Sequence, residues 1–133
     1  MARIDDRLVE ASAALATLDE LMARNDLNLA ERDGAILRLV YTFEAIWKAA
    51  ALLLDREGIS IGSPRGAIVE CRQVGWVGDG DAETLLKLAK QRNLTVHMYR
   101  QEIGEEIASH LRIYAIALGI WLDALKRHAA SGD

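Results

Sequence analysis

The chain has 133 residues, 51% hydrophobic, 27% charged and 5% aromatic, with one proline, one cysteine and a formal charge of −4. That length suits one domain, and the apolar share is enough to fill one core. A single Cys71 excludes a disulfide framework and a cysteine zinc cage, and the acidic balance excludes broad electrostatic capture of a phosphate backbone.

Helical periodicity runs along most of the chain. Ile4, Leu8, Ala11, Leu15, Leu18 and Met22 recur at spacings of three and four, the mark of one apolar helix face. Asn25, Asp26 and Asn28 interrupt it with turn-forming side chains. A second stripe follows in Ile36, Val40, Phe43, Trp47, Ala51 and Leu54, and ends at Gly58, a residue suited to a left-handed cap. Ser63-Pro64 starts a short third helix, with serine as cap and proline at the first helical position; it is expected to stop at Gly75.

A fourth helix is expected after the loop 75–81, with Asp81 as its cap, and to carry Arg92 through Tyr99 in regular register. A fifth is expected from Gln101 to about His128, on the stripe Ile103, Ile107, Tyr114, Leu118, Trp121 and Leu125. No alternation typical of a strand occurs. The expected fold is therefore all-α, an antiparallel up-and-down bundle of four main helices plus a short one. It forms one domain over residues 1–133 with Ser131-Gly132-Asp133 as a frayed tail.

Ile113, Ile116 and Ile120 give the last helix a second apolar side. That side fits either a two-fold dimer interface or a helix enclosed by its neighbours. The uncharged run Ile113–Leu122 is far shorter than the ~18–20 residues that span a bilayer. The opening Met1–Arg7 is charged where a secretory signal would be apolar, so a cytoplasmic protein without a membrane partner is expected.

The chemistry is concentrated in Arg92-Asn93-Leu94-Thr95-Val96-His97-Met98-Tyr99. On a regular helix Arg92, Val96 and Tyr99 join the core-facing stripe of Leu85 and Leu88, Asn93 and His97 lie on its flank, and Arg92 and His97 diverge by roughly 140°. An inward arginine needs a partner, and Glu44 at the edge of the second stripe is the candidate. Arginine offers a planar fork of donors for a phosphate, and histidine moves protons near neutrality. Together they suffice for attack of an RNA 2′-hydroxyl on its own phosphodiester. The plainer reading of each is a structural ion pair and a hydrogen-bonded histidine.

Other features carry less. His110 reads as a hydrogen-bonded core or interface residue, and His128 as a solvated residue near a helix C-terminus. The acids around Asp79–Glu83 lack the glycine of a calcium loop, and Gly75, Gly78 and Gly80 follow no strand. Cys71 reads as a small buried hydrophobe, and Trp47 and Trp121 as core. No cofactor and no metal site is expected.

Arg92, four residues, His97, one residue and Tyr99, with Asn93 directly after the arginine, resembles the Arg-x4-His-x-Tyr signature of HEPN domains (higher eukaryotes and prokaryotes nucleotide-binding). Tyr41-Thr42-Phe43-Glu44-Ala45-Ile46-Trp47-Lys48 resembles that family's second-helix block, and Ser63-Pro64-Arg65 with Ala67-Ile68 its third-helix start. The nearest branch is the HepT-like proteins, also called nucleotidyltransferase substrate-binding proteins, and the similarity spans residues 5–127.

The resemblance implies a dimeric bundle in which the signature residues of two chains converge, encoded beside a minimal nucleotidyltransferase (MNT) antitoxin. Many such proteins are RNA-cleaving toxins. By that likeness Arg92 and His97 would be catalytic and metal-independent, Asn93 supporting, and Tyr99 a possible site of AMP modification, while Glu44 stands as the Arg92 partner on the helix-face reading alone. The alternative is a non-catalytic substrate-binding subunit of the nucleotidyltransferase. Relatives commonly read His-Thr-Tyr-Asp where this chain has His97-Met98-Tyr99-Arg100, a change that loses a small polar group and an acid able to cap the next helix.

Overall fold

The computed structural model describes residues 2–131, so Gly132 and Asp133 of the expected tail lie outside the described residues, while Ser131 is helical. The described residues form six α-helices, one 3-10 turn and no strand.

Helix α1 (Ala2–Met22) buries Ile4, Leu8, Ala11 and Leu18, in line with its periodicity. Helix α2 (Leu29–Arg56) starts on a reciprocal cap that the turn reading did not foresee. The Asn28 side chain accepts from the Glu31 amide at 2.8 Å, and the Glu31 carboxylate accepts from the Asn28 amide at 3.0 Å. The buried stripe of α2 centres on Ile36, Leu39, Phe43, Ile46, Ala50 and Leu53, so Val40, Trp47 and Ala51 fall at its half-buried edge. Helices α1, α3 and α6, with a smaller contact from α5, pack on α2, and their joint footprint widens the buried arc beyond one stripe.

Helix α3 (Pro64–Gln73) starts as expected: the Ser63 hydroxyl accepts from the Gly66 amide at 3.0 Å and proline occupies the first turn. Gly58 at φ +87° and Gly75 at φ +82° terminate α2 and α3. Just beyond each, an amide turns back to the final turn, Ile59 to the Leu54 carbonyl and Trp76 to that of Cys71. Helix α4 (Asp79–Arg92) has Gly78, with no side-chain cap, at its N-terminus. Asp81 therefore stands inside the first turn, where its charge favours the helix dipole without capping it.

The expected helix Gln101–His128 is two helices, α5 (Gln101–Ala108) and α6 (Leu111–Ser131), bent by 47°. Ser109 Oγ donates to the Glu106 carbonyl at 2.7 Å, and His110 Nδ1 lies 3.0 Å from the same oxygen. With that carbonyl occupied, the His110 amide turns to Ile107 and the regular ladder breaks. The apolar stripe survives the bend because Ile107, Tyr114, Leu118, Trp121 and Leu125 all stay buried.

Long-range hydrogen bonds fix the topology. Arg56 at the end of α2 donates to the His128 carbonyl at 3.0 Å, in the last turns of α6. Arg112 at the start of α6 donates to the carbonyls of Met22 and Arg24 at the end of α1. Thus α2 and α6 run parallel across the bundle diagonal, and α1 is antiparallel to both. Phe43 and Trp121 meet in the core with ring centroids 6.5 Å apart.

Ile113, Ile116 and Ile120 remain exposed, at 55%, 64% and 44%. A helix enclosed on all sides is thereby excluded. No single helix among the described residues is long and apolar enough to cross a membrane.

Candidate active site

The signature residues do not lie on one regular helix. Helix α4 ends at Arg92, Asn93 caps it, and Thr95–His97 form a 3-10 turn that leads through Arg100 into α5. The reason is local. Thr95 Oγ1 donates to the Arg92 carbonyl at 2.8 Å, and the amides of Leu94, His97 and Arg100 each reach back only three residues. A hydroxyl that serves a terminal carbonyl, next to β-branched Val96, makes the tight turn a better solution than another α-helical turn.

The turn overturns two placements. Val96 and Tyr99, expected on the core stripe, are 73% and 79% exposed, because the register of α4 stops before them. Met98 takes the inward place and packs against the core.

Arg92 is held from three sides. Its Nη1 donates to Glu44 Oε2 at 2.6 Å, its Nη2 donates to Asn93 Oδ1 at 3.4 Å, and its guanidinium carbon stands 5.8 Å from the centre of the Phe43 ring. Glu44 is oriented in turn by Trp47, whose indole N–H donates to Oε1 at 2.9 Å. Trp47 therefore does more than fill the core edge. It steers the carboxylate that steers the arginine. The Arg92 and Glu44 side chains are 27% and 30% exposed, half-buried at the lip of the bundle.

His97 and Tyr99 form a separate pair on the turn, edge to face with centroids 6.3 Å apart. Both are exposed, and the His97 ring makes no hydrogen bond with the described residues. No hydrogen bond or ring contact joins Arg92 to His97 within the chain. The structure thus brings Glu44, Arg92 and Asn93 together, and His97 with Tyr99, as two clusters on one short segment.

Several supporting residues were not visible in the sequence. Gln91 accepts a 2.6 Å hydrogen bond from the hydroxyl of buried Tyr114, which ties the end of α4 to α6. Burial, with the Glu106 carboxylate nearby, pushes the Tyr114 hydroxyl up to about 12, so it stays a donor. A buried tyrosine needs a partner for its polar tip, and that was the one available signal. Gly104 on α5 lets the motif turn sit against Arg32. A Cβ there would stand 2.5 Å from Arg32 Nη2 and 2.9 Å from the Met98 carbonyl oxygen.

Arg100 precedes α5 without a side-chain cap and pairs with Glu102 at 3.1 Å. His110 stacks on Tyr114 and is half-buried. His128, expected to be solvated, is half-buried against the Trp76 ring at 4.8 Å, because the turn after α3 folds over the end of α6. Cys71 is fully buried, and burial pushes its thiol up to about 11. No cluster of His, Cys, Asp and Glu among the described residues is arranged to hold a metal ion.

Residues 6–127 match the family model described as nucleotidyltransferase substrate binding protein like. The chain belongs to that family. This is the HepT-like branch that the three sequence blocks resemble. A crystal structure of a protein from Thermus thermophilus is similar at 42% identity, with a TM-score of 0.83, over 88% of this chain and 99% of that one. No match emerges among curated proteins. Arg92, Asn93, His97 and Tyr99, which resemble the HEPN signature in sequence, straddle a helix end in the fold.

Proposed function

We propose that the protein is an RNA endonuclease of a toxin–antitoxin pair, acting as a two-fold dimer and neutralised by an MNT-type nucleotidyltransferase. The observation that carries this reading is Arg92 fixed by Glu44 and Asn93, with an unencumbered, exposed His97 five residues further along. Glu44 and Asn93 take one N–H each on Nη1 and Nη2, and the other three N–H donors of the guanidinium are left for a phosphate.

In the reaction, the neutral His97 imidazole takes the proton of an RNA 2′-hydroxyl, and that oxygen attacks the adjacent phosphorus. A new 2′-oxygen–phosphorus bond forms as the bond to the 5′-oxygen breaks. The imidazolium so formed returns that proton to the leaving 5′-oxygen, so the products are a 2′,3′-cyclic phosphate and a 5′-hydroxyl. Arg92 stabilises the charge that grows on the phosphoryl oxygens. No step needs a metal. The exposed Ile113, Ile116 and Ile120 face supports dimerisation, which would set the separate Arg92 and His97 clusters of two chains around one cleft. Tyr99, at 79% exposure, is open to nucleotidylation by the partner.

A second reading is favoured by the family's own description and by the net charge of −4: a non-catalytic subunit that holds a substrate for a nucleotidyltransferase. Expression in a bacterial host separates the two. The nuclease reading expects growth arrest that disappears in His97→Ala and is relieved by the co-expressed nucleotidyltransferase. Unaffected growth in every case would favour the binding subunit.

A further inference from the structure

A cavity of about 440 Å³ opens beside Arg92, between the start of α3 and the second half of α4. Arg65, Lys90 and Arg92 line it together with Asn93, while Leu86 and Ala89 form an apolar wall. No carboxylate lines it. Arg92 already has Glu44, but none of the ion pairs among the described residues involves Arg65 or Lys90. Both are exposed residues on rigid helices, so their charges meet solvent at the cavity mouth.

Three cations and no carboxylate thus share one concavity on a chain whose net charge is −4. Neither the Arg65 nor the Lys90 side chain makes an ion pair or hydrogen bond with the described residues, and the only fold-level part for either charge is that of Lys90 at the α4 dipole. Arg92 and Asn93 belong both to this cavity and to the candidate catalytic cluster, so a polyanion gripped at Arg92 runs on into the cavity. The apolar wall suits a sugar or base face, and the cations suit the phosphate between them.

We propose that this cavity is the strand-binding subsite: Arg65 and Lys90 hold the phosphate next to the scissile one on a single-stranded RNA, and so set where the strand lies across Arg92. This rests on the nuclease reading for the scissile phosphate but not for binding itself. Arg65 and Lys90 are positioning residues, since they touch the strand and not the reacting atoms.

The test uses the His97→Ala protein, which keeps the cavity and does not cut. Binding of a fluorescein-labelled single-stranded RNA is followed by anisotropy across a KCl series, in that parent and with Arg65→Ala and Lys90→Ala added. The expected result is at least a tenfold weaker affinity, and a log–log salt slope lower by about 0.7 for each phosphate no longer neutralised. With His97 intact, the same pair of substitutions is expected to raise KM about tenfold with less than a twofold fall in kcat.

Arg65→Gln with Lys90→Gln, checked by circular dichroism and elution volume, repeats the test with longer side chains should the alanine pair fail to fold. An affinity and slope equal to the parent's would overturn the proposal, as would a parent that binds no RNA. ATP in place of RNA is the control for a free nucleotide. Arg65- and Lys90-dependent binding of ATP without that of RNA would overturn RNA as the occupant. If the RNA-binding loss occurs as expected but protein with His97 intact never cleaves, the nuclease reading fails alone.

Discussion

Arg92 Nη1 and Glu44 Oε2 stand 2.6 Å apart across 48 residues of sequence, and that contact fixes the end of α4 against the middle of α2. An arginine at the last position of a helix already favours the helix dipole, but would swing freely without a carboxylate facing it. Glu44 is itself held by Trp47, so a chain of hydrogen bonds leads from the core edge to the guanidinium.

The chain of contacts predicts two different outcomes for its members. Arg92→Ala is expected to cost about 1–2 kcal/mol of stability, since it leaves the half-buried Glu44 with only its indole partner. Glu44→Gln keeps the shape but one acceptor oxygen in place of two, so it retains the bond from Trp47 or from Arg92 and not both, and is expected to cost about 1 kcal/mol. It is nonetheless expected to lower RNA cleavage, because the arginine is no longer held in place by charge. Urea unfolding and single-turnover cleavage on the same preparations check both.

Gly104→Ala is expected to destabilise the protein by about 1–3 kcal/mol, because the new methyl would meet the Arg32 guanidinium and the Met98 carbonyl oxygen. Arg32 can give way, but the backbone carbonyl of the motif turn cannot without moving His97 and Tyr99. Thermal unfolding measures the first effect. A change in the His97 imidazole proton resonances measures the second.

The exposed isoleucines of α6 predict the oligomeric state. Wild-type protein is expected to elute as a dimer and Ile116→Asp as a monomer with its helical content intact, since Ile116 is solvent-facing within one chain. Sedimentation equilibrium reads the mass. If the site is shared between chains, mixed dimers of Arg92→Ala and His97→Ala recover cleavage that neither parent shows. Recovery would be absent if each chain carried a complete site.

Buried Cys71 and Tyr114 predict an alkaline limit. Their folded acidities are pushed up, to about 11 and about 12, so at high pH the unfolded chain loses these protons first. The unfolded state then binds fewer protons than the folded one, and stability falls as pH rises from the ordinary thiol value, about 9, toward 11. Denaturant midpoints across that range check the slope, which is expected to be shallower in Cys71→Ala. At pH 8 the native thiol is expected to react with a disulfide reagent only as fast as the protein opens.

Much of this fold was legible because its rules are local. Ser63-Pro64, Gly58 and Gly75 act within a few residues, and each performs the capping or terminating part its chemistry suggests. The breaks were harder. Nothing in the apolar stripe from Ile107 to Leu125 signals the 47° bend, since the stripe continues through it. The cause is competition by Ser109 and His110 for one carbonyl, which depends on side-chain geometry.

The candidate site divides in the same way. Glu44 was readable as the partner of Arg92 because an inward cation demands a carboxylate and few stand at the right height. The helix end at Arg92 was not readable from periodicity, because Val96 and Tyr99 keep apolar spacing in a segment that has left the helix. Gln91 acts through its bond from Tyr114 on another helix, and Arg65 and Lys90 share a cavity only because α3 packs on α4; the sequence alone does not show which helices meet.

The most direct test of the account is cleavage of a labelled single-stranded RNA by purified protein, with analysis of the product ends. Wild-type protein is expected to leave a 2′,3′-cyclic phosphate and a 5′-hydroxyl in the presence of a chelator, and Arg92→Ala and His97→Ala to be slower by at least ~100-fold. Equal cleavage by all three proteins, or none by the folded wild type, would contradict the catalytic role given to Arg92 and His97.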